Sequence, residues 1–237
     1  MKRAQSDEQK ARRRLTILEE ARAAFDAQDY RDIRLQDLAD RVGLVKGTFY
    51  RYFATKQDLF MSLYAMELEE WLAEWSAKVA RASGGTRAVK AARGAKAGSP
   101  AAALERIMID TLAARPRLVR LIGSFPGDLE PALSEEGLKS YKRFLLDYLS
   151  RSAAALGPFG RRLGKRAVPF LVSVFVLIQG CAPLCFPASR IAAMLEREEE
   201  FAPFRFEFPR LFAPLARALF ASYFAEGAPG RPRRPSP

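Results

Sequence analysis

Histidine is missing from all 237 residues of this chain, and cysteine occurs only twice. Without an imidazole there is no Ser-His or Cys-His nucleophile pair, no imidazole zinc ligand and no ordinary general base near neutral pH. The two thiols, Cys181 and Cys185, stand one helical turn apart in an apolar run. With no third thiol nearby they read as buried structural residues rather than a soft-metal or redox site. A phosphate-binding loop is also lacking, because GRRLGKR from Gly160 misses both the spacing and the Ser/Thr. No catalytic residue, cofactor or metal is therefore expected, and the chain does not read as an enzyme. Residues 1 to 14 contain no apolar signal segment, which points to a reduced, cytoplasmic protein.

Charge of one sign is what the chain has in excess. Thirty-nine Lys and Arg face 27 Asp and Glu, a formal +12 with a pI near 10.0, while 49% hydrophobic residues suffice for a sizeable core. Such a balance favours a polyanion, either nucleic acid or an acidic membrane surface.

The pattern along the chain is helical, with no convincing strand alternation. Residues 1 to 11 read as a polar basic arm, followed from Arg12 to Gln28 by a helix with Leu15, Leu18, Ala21 and Phe25 on one face. Leu35, Leu38, Ala39 and Val42 mark a short second helix stopped by Gly43. A third covers about Lys46 to Phe53, and Thr55-Lys-Gln-Asp58 forms a capping box that starts a long fourth helix reaching about Arg81. The segment 82 to 99, rich in Ala, Gly and cations, reads as a flexible basic loop. Further helices are expected at about 100 to 114, 116 to 124, 134 to 156, 162 to 186 and 205 to 226, with a disordered tail at 227 to 237.

Placed on a helical wheel, GLVKGTFYRYF divides in two. Val45, Phe49, Tyr52 and Phe53 gather on a packing side; Lys46, Gly47, Tyr50 and Arg51 face away, with Thr48 at the border. Cations, a hydroxyl and a glycine on an exposed helix face suit phosphate contacts and close backbone approach. Two short helices joined across Gly43 match a helix-turn-helix, whose second helix enters the major groove.

From Phe25 to Leu59 the residues resemble the DNA-binding domain of the TetR/AcrR family of bacterial transcriptional regulators. The D-L-A, V-G, K-G-T-F-Y-R-Y-F and K-Q-D-L pieces stand in that family's order and spacing. The resemblance implies an all-α fold: a three-helix DNA-binding domain at 12 to 65, its motif at about 34 to 53, then a larger effector-binding and dimerisation domain at 66 to 226. It implies a homodimer on a double-stranded DNA operator, and the helices at 162 to 186 and 205 to 226 carry enough apolar surface to form its interface. It also implies a repressor released by a small effector. The DNA-facing set is Arg34, Leu35, Gln36, Val45, Lys46, Gly47, Thr48, Tyr50, Arg51 and Lys56.

Two positions depart from the family's pattern: Ile33 and Val45 stand where a capping Thr and Ser are usual, with Asp32 a candidate cap one position early. Thirteen of the 17 phenylalanines follow residue 120, which favours an apolar or aromatic effector. An alternative uses the apolar run AVPFLVSVFVLIQGCAPLCF, 167 to 186, which has the length of a membrane span. Pro169 and Pro183 bracket it, and Ser173 and Gln179 interrupt it, which favours a buried or interface helix and no membrane.

Overall fold

The computed structural model describes residues 2–84 and 100–225. Eleven α-helices lie within them, joined by turns and by short 3-10 and π segments, and there is no strand among the described residues. Residues 85–99, most of the expected basic loop, and the 227–237 tail lie outside the described residues.

Helix α1 spans Lys2–Ala27, so residues 2–11 extend it instead of forming a separate arm. The reason is local: good helix formers fill the segment, and Arg12 pairs with Glu8 one turn back at 2.6 Å. The buried face of α1 is Ile17, Leu18, Ala21, Ala24 and Phe25, whereas Leu15, expected inside, is 53% exposed. Leu18, Ala21 and Phe25 stay in the stripe, while Ile17 and Ala24 replace Leu15 along its edge.

A 3-10 turn at Tyr30–Asp32 leads to α2, Leu35–Arg41. Asp32 is taken up in that turn, and Arg34 occupies the N-cap without a side-chain cap, so the proposed Asp32 cap does not form. Ile33 is buried instead. Helix α2 ends in a Schellman motif: Gly43 adopts φ 66°, the Leu44 amide donates to the Ala39 carbonyl at 2.9 Å and the Gly43 amide to Asp40 at 3.1 Å. Only a residue free of a Cβ enters that conformation cheaply.

Helix α3 is Lys46–Tyr50, shorter than expected, because Arg51 and Tyr52 turn out of it. Helix α4, Lys56–Gly84, opens with the expected capping box: the Thr55 amide donates to Asp58 at 3.1 Å and the Asp58 amide to the Thr55 hydroxyl at 3.0 Å. Its 29 residues span about 44 Å and join the two halves of the molecule.

The C-terminal half contains α5 (Pro100–Ala113), α6 (Pro116–Ser124), α7 (Glu135–Ala155), α8 (Pro158–Leu163), α9 (Ala167–Cys185), α10 (Ser189–Arg197) and α11 (Phe208–Phe224). Helices α6 and α9 cross closely: a Cβ on Gly123 would sit 2.5 Å from that of Ala182. The single helix expected at 162 to 186 is broken at Gly164, φ 55°, into α8, a 3-10 turn and α9. Helix α11 starts at Phe208, with Pro209 in its first turn, and passes through Pro214. Pro214 and Arg210 are exposed, which leaves the carbonyl orphaned by the proline to solvent. Helix α10 and a following 3-10 segment, Glu199–Phe204, were not foreseen.

The two halves are clamped by ions. Glu67 on α4 is 2% exposed, and its Oε1 meets Arg22 Nε of α1 and Arg117 Nη1 of α6, each at 3.0 Å. Arg117 also grips Asp26 of α1, with Nε at 2.8 Å. Arg115 reaches Glu74 at 2.9 Å and Glu70 at 3.3 Å. Burial works to raise the Glu70 carboxyl, but hydrogen bonds from Arg22 and Arg115 outweigh it and hold the group below its ordinary value. Asp29 adds a contact from the other side, accepting the Ser189 amide of α10 at 2.9 Å.

Candidate nucleic-acid interface

The face presented by α2, the Gly43 turn and α3 is built by burying its opposite side. Phe49 and Phe53 are sealed in the core, which fixes the roll of α3 and turns Lys46, Gly47, Tyr50 and Arg51 to solvent. Tyr50 is 41% exposed, edge-on to Phe49, with the Lys46 ammonium 6.0 Å from its ring centre. Thr48 is half-buried at the border. A Cβ at Gly47 would meet nothing, so the bare backbone there is open to close approach.

Val45 behaves differently from the wheel. It is 75% exposed, because it precedes the helix in extended conformation (φ −65°, ψ 146°) and the helical periodicity does not reach it. It therefore leaves the packing side and joins the outward face. Tyr52 is half-buried in the turn after α3. Since Val45 neither caps nor packs, Val45→Ser is expected to stabilise the fold by about 1 kcal/mol, measured by chemical denaturation.

At the start of α2, Arg34 is exposed and Gln36 is exposed with its amide donating to Asp40 at 2.8 Å. Leu35 is half-buried and packs inward. Lys10, Arg13, Arg34, Lys46 and Arg51 form no ion pair among the described residues, in contrast to the paired arginines of the domain junction.

Lys56 is placed with less freedom. Its ammonium lies 4.2 Å from the Tyr30 ring centre and donates to the Tyr30 and Arg31 carbonyls, and burial lowers its pKa. It ties the α1–α2 turn to the start of α4. Burial also pushes the Tyr30 phenol up to about 12. Arg14, near the start of the expected first helix, is likewise committed: it donates to the Tyr52 carbonyl at 3.0 Å and Ser62 at 2.8 Å and stacks on Phe53 at 4.2 Å. Neither role has a local sequence signal; the Arg14 partners are 38 and 48 residues away.

Residues 17–63 match the family described as bacterial regulatory proteins, tetR family, and residues 65–223 match the tetracyclin repressor-like C-terminal domain. The chain belongs to the tetR family of regulators. No curated protein matches it. The tetR-family helix-turn-helix is the α2–α3 unit just described, and the chain is a DNA-binding transcriptional regulator. Regulators of this family are generally non-enzymatic. No group of three or more potential metal ligands occurs among the described residues. Burial raises both thiols, Cys185 to about 11, which keeps them protonated and poor as ligands near neutral pH.

Proposed function

We propose that this regulator is a cytoplasmic, ligand-responsive repressor that binds a near-palindromic operator as a homodimer. The observation that carries the DNA-reading part is the outward face of α3, where Lys46, Gly47, Thr48, Tyr50 and Arg51 stand opposite buried Phe49 and Phe53. Lys46 and Arg51 take phosphates; Tyr50, with Arg34 and Gln36 of α2, reaches base edges or sugar. Val45 and Gly47 allow close approach, and Leu35 contributes only its outer edge. The inward-turned Lys56 ammonium fixes the neighbouring turn, so its DNA contact is limited to the amide at the start of α4.

Dimerisation uses α9 and α11. Val168, Val172, Val176 and Leu184 are each at least 40% exposed and recur every four residues or a multiple of four along α9, with Leu215 of α11 exposed at 43%. An apolar ridge at that spacing fits packing against a second copy. The stretch Pro158–Cys185 also contains an 18-residue window apolar enough to cross a membrane, with mean hydropathy 2.1. Phe170, Leu171, Val174, Ile178 and Cys181 are nevertheless buried on its other side against the protein, which favours a protein interface.

An apolar or aromatic effector is supported by the rings of Trp71, Trp75, Tyr148 and Phe175, with centroids 6.1–6.3 Å apart in successive contacts. Trp75 Nε1, Tyr148 Oη and Ser152 Oγ are buried together beside these rings, and the Tyr148 hydroxyl interacts with both of the other groups. Effector binding acts by shifting the spacing of the two reading heads.

Tyr50→Ala is expected to weaken binding to the chain's own upstream duplex by about 1–3 kcal/mol without loss of thermal stability. Fluorescence anisotropy and thermal unfolding check the two halves of that statement. Unchanged affinity would remove Tyr50 from the interface.

A further inference from the structure

The N-terminal overhang of α1 carries charge on the very face that docks α1 to the reading head. Lys10, Arg13, Arg14 and Ile17 stand at i, i+3, i+4 and i+7, one side of the helix. Ile17 is fully buried, and Arg14 is bolted to Tyr52, Ser62 and Phe53. One turn further out the face loses its apolar residues but continues, and Lys10 and Arg13 are exposed without an ion pair among the described residues. Lys10 lines a groove of about 350 Å³ together with Asp7, Ala11, Arg14, Arg51 and Tyr52. The overhang therefore stands beside the end of α3, and Lys10 faces the same groove as Arg51.

We propose that the first turns of α1 form a second DNA-contacting element, in which Lys10 and Arg13 hold phosphates flanking the major groove read by α3. The inference rests on the regulator reading above. It extends that reading from one helix to a rigid two-element grip, because the Arg14 anchor fixes where the overhang lies before DNA arrives. Asp7, the one carboxylate of the groove, opposes the contact. Contacts of this kind set register and affinity, not sequence preference.

The test compares the full chain with its K10A/R13A and Asp7→Asn variants on the chain's own upstream duplex, by anisotropy between about 50 and 200 mM salt and by hydroxyl-radical footprinting. Two lost phosphates per head, four per dimer, make the log-log salt slope shallower by about 3.6, so the deficit of K10A/R13A shrinks roughly 150-fold across that range. Protection at the flanks of the footprint disappears while the centre stays, and Asp7→Asn binds more tightly than wild type. Circular dichroism confirms that both variants keep α1. If the wild type prefers its upstream duplex but K10A/R13A shows the same slope and footprint, the overhang is only a solvated helix and the inference is overturned alone. A wild type without that preference overturns the regulator reading and this inference with it.

Discussion

Glu67→Gln is expected to cost about 3 kcal/mol of stability, the low end of what removing one partner of a buried ion pair costs. The carboxylate is 2% exposed and serves Arg22 and Arg117 at 3.0 Å each, with Arg115 at 3.9 Å. Glutamine offers one carbonyl oxygen and an amide that points donors at donors, so part of the guanidinium charge is left unpaired in the junction. The loss stays near the low end because Glu70 still holds Arg22 and Asp26 still holds Arg117. Asp26→Asn provides the contrast: that side chain is 45% exposed, and water takes over much of its role, so its cost is expected below about 1 kcal/mol. Urea denaturation of both variants measures the difference. Equal costs would mean that burial at the junction does not set the strength of the clamp.

Val176→Asp is expected to turn the proposed dimer into a folded monomer and to reduce operator affinity by about 10²- to 10⁴-fold, the advantage that linking two binding sites confers. Val176 is 60% exposed in the single chain, so aspartate costs little there, yet it places a charge in the middle of the α9 ridge. Sedimentation reports the assembly state and anisotropy the affinity. A variant that remains a dimer with unchanged affinity would move the interface away from α9.

The reading head was legible in the sequence because its determinants are local. Gly43 closes α2 through bonds spanning a few residues, and Thr55 and Asp58 cap α4 within a single turn. Val45 was misplaced because a wheel assumes that helical geometry continues, whereas the extended N-cap breaks it. The inward turn of Lys56 and the Arg14 anchor depend on partners 25 to 48 residues distant, which no local pattern announces. The Arg117–Asp26 clasp spans 91 residues and is further still from any sequence signal. Helix α10 escaped notice because its apolar residues, Ile191, Met194 and Leu195, span little more than one turn beside an acidic run, and none of its residues is buried. The apolar stretch of α9 was ambiguous by composition alone; its buried and exposed sides separate only once α6 and α11 are seen against it.

The central claim, that the α2–α3 face reads a specific DNA site, is tested most directly by competition at about 150 mM salt between the chain's own upstream duplex and a random duplex of equal length. Non-specific phosphate binding is already weakened at that salt. The account predicts a preference of about 10³-fold or more for the upstream duplex. Equal affinity for the two would contradict it.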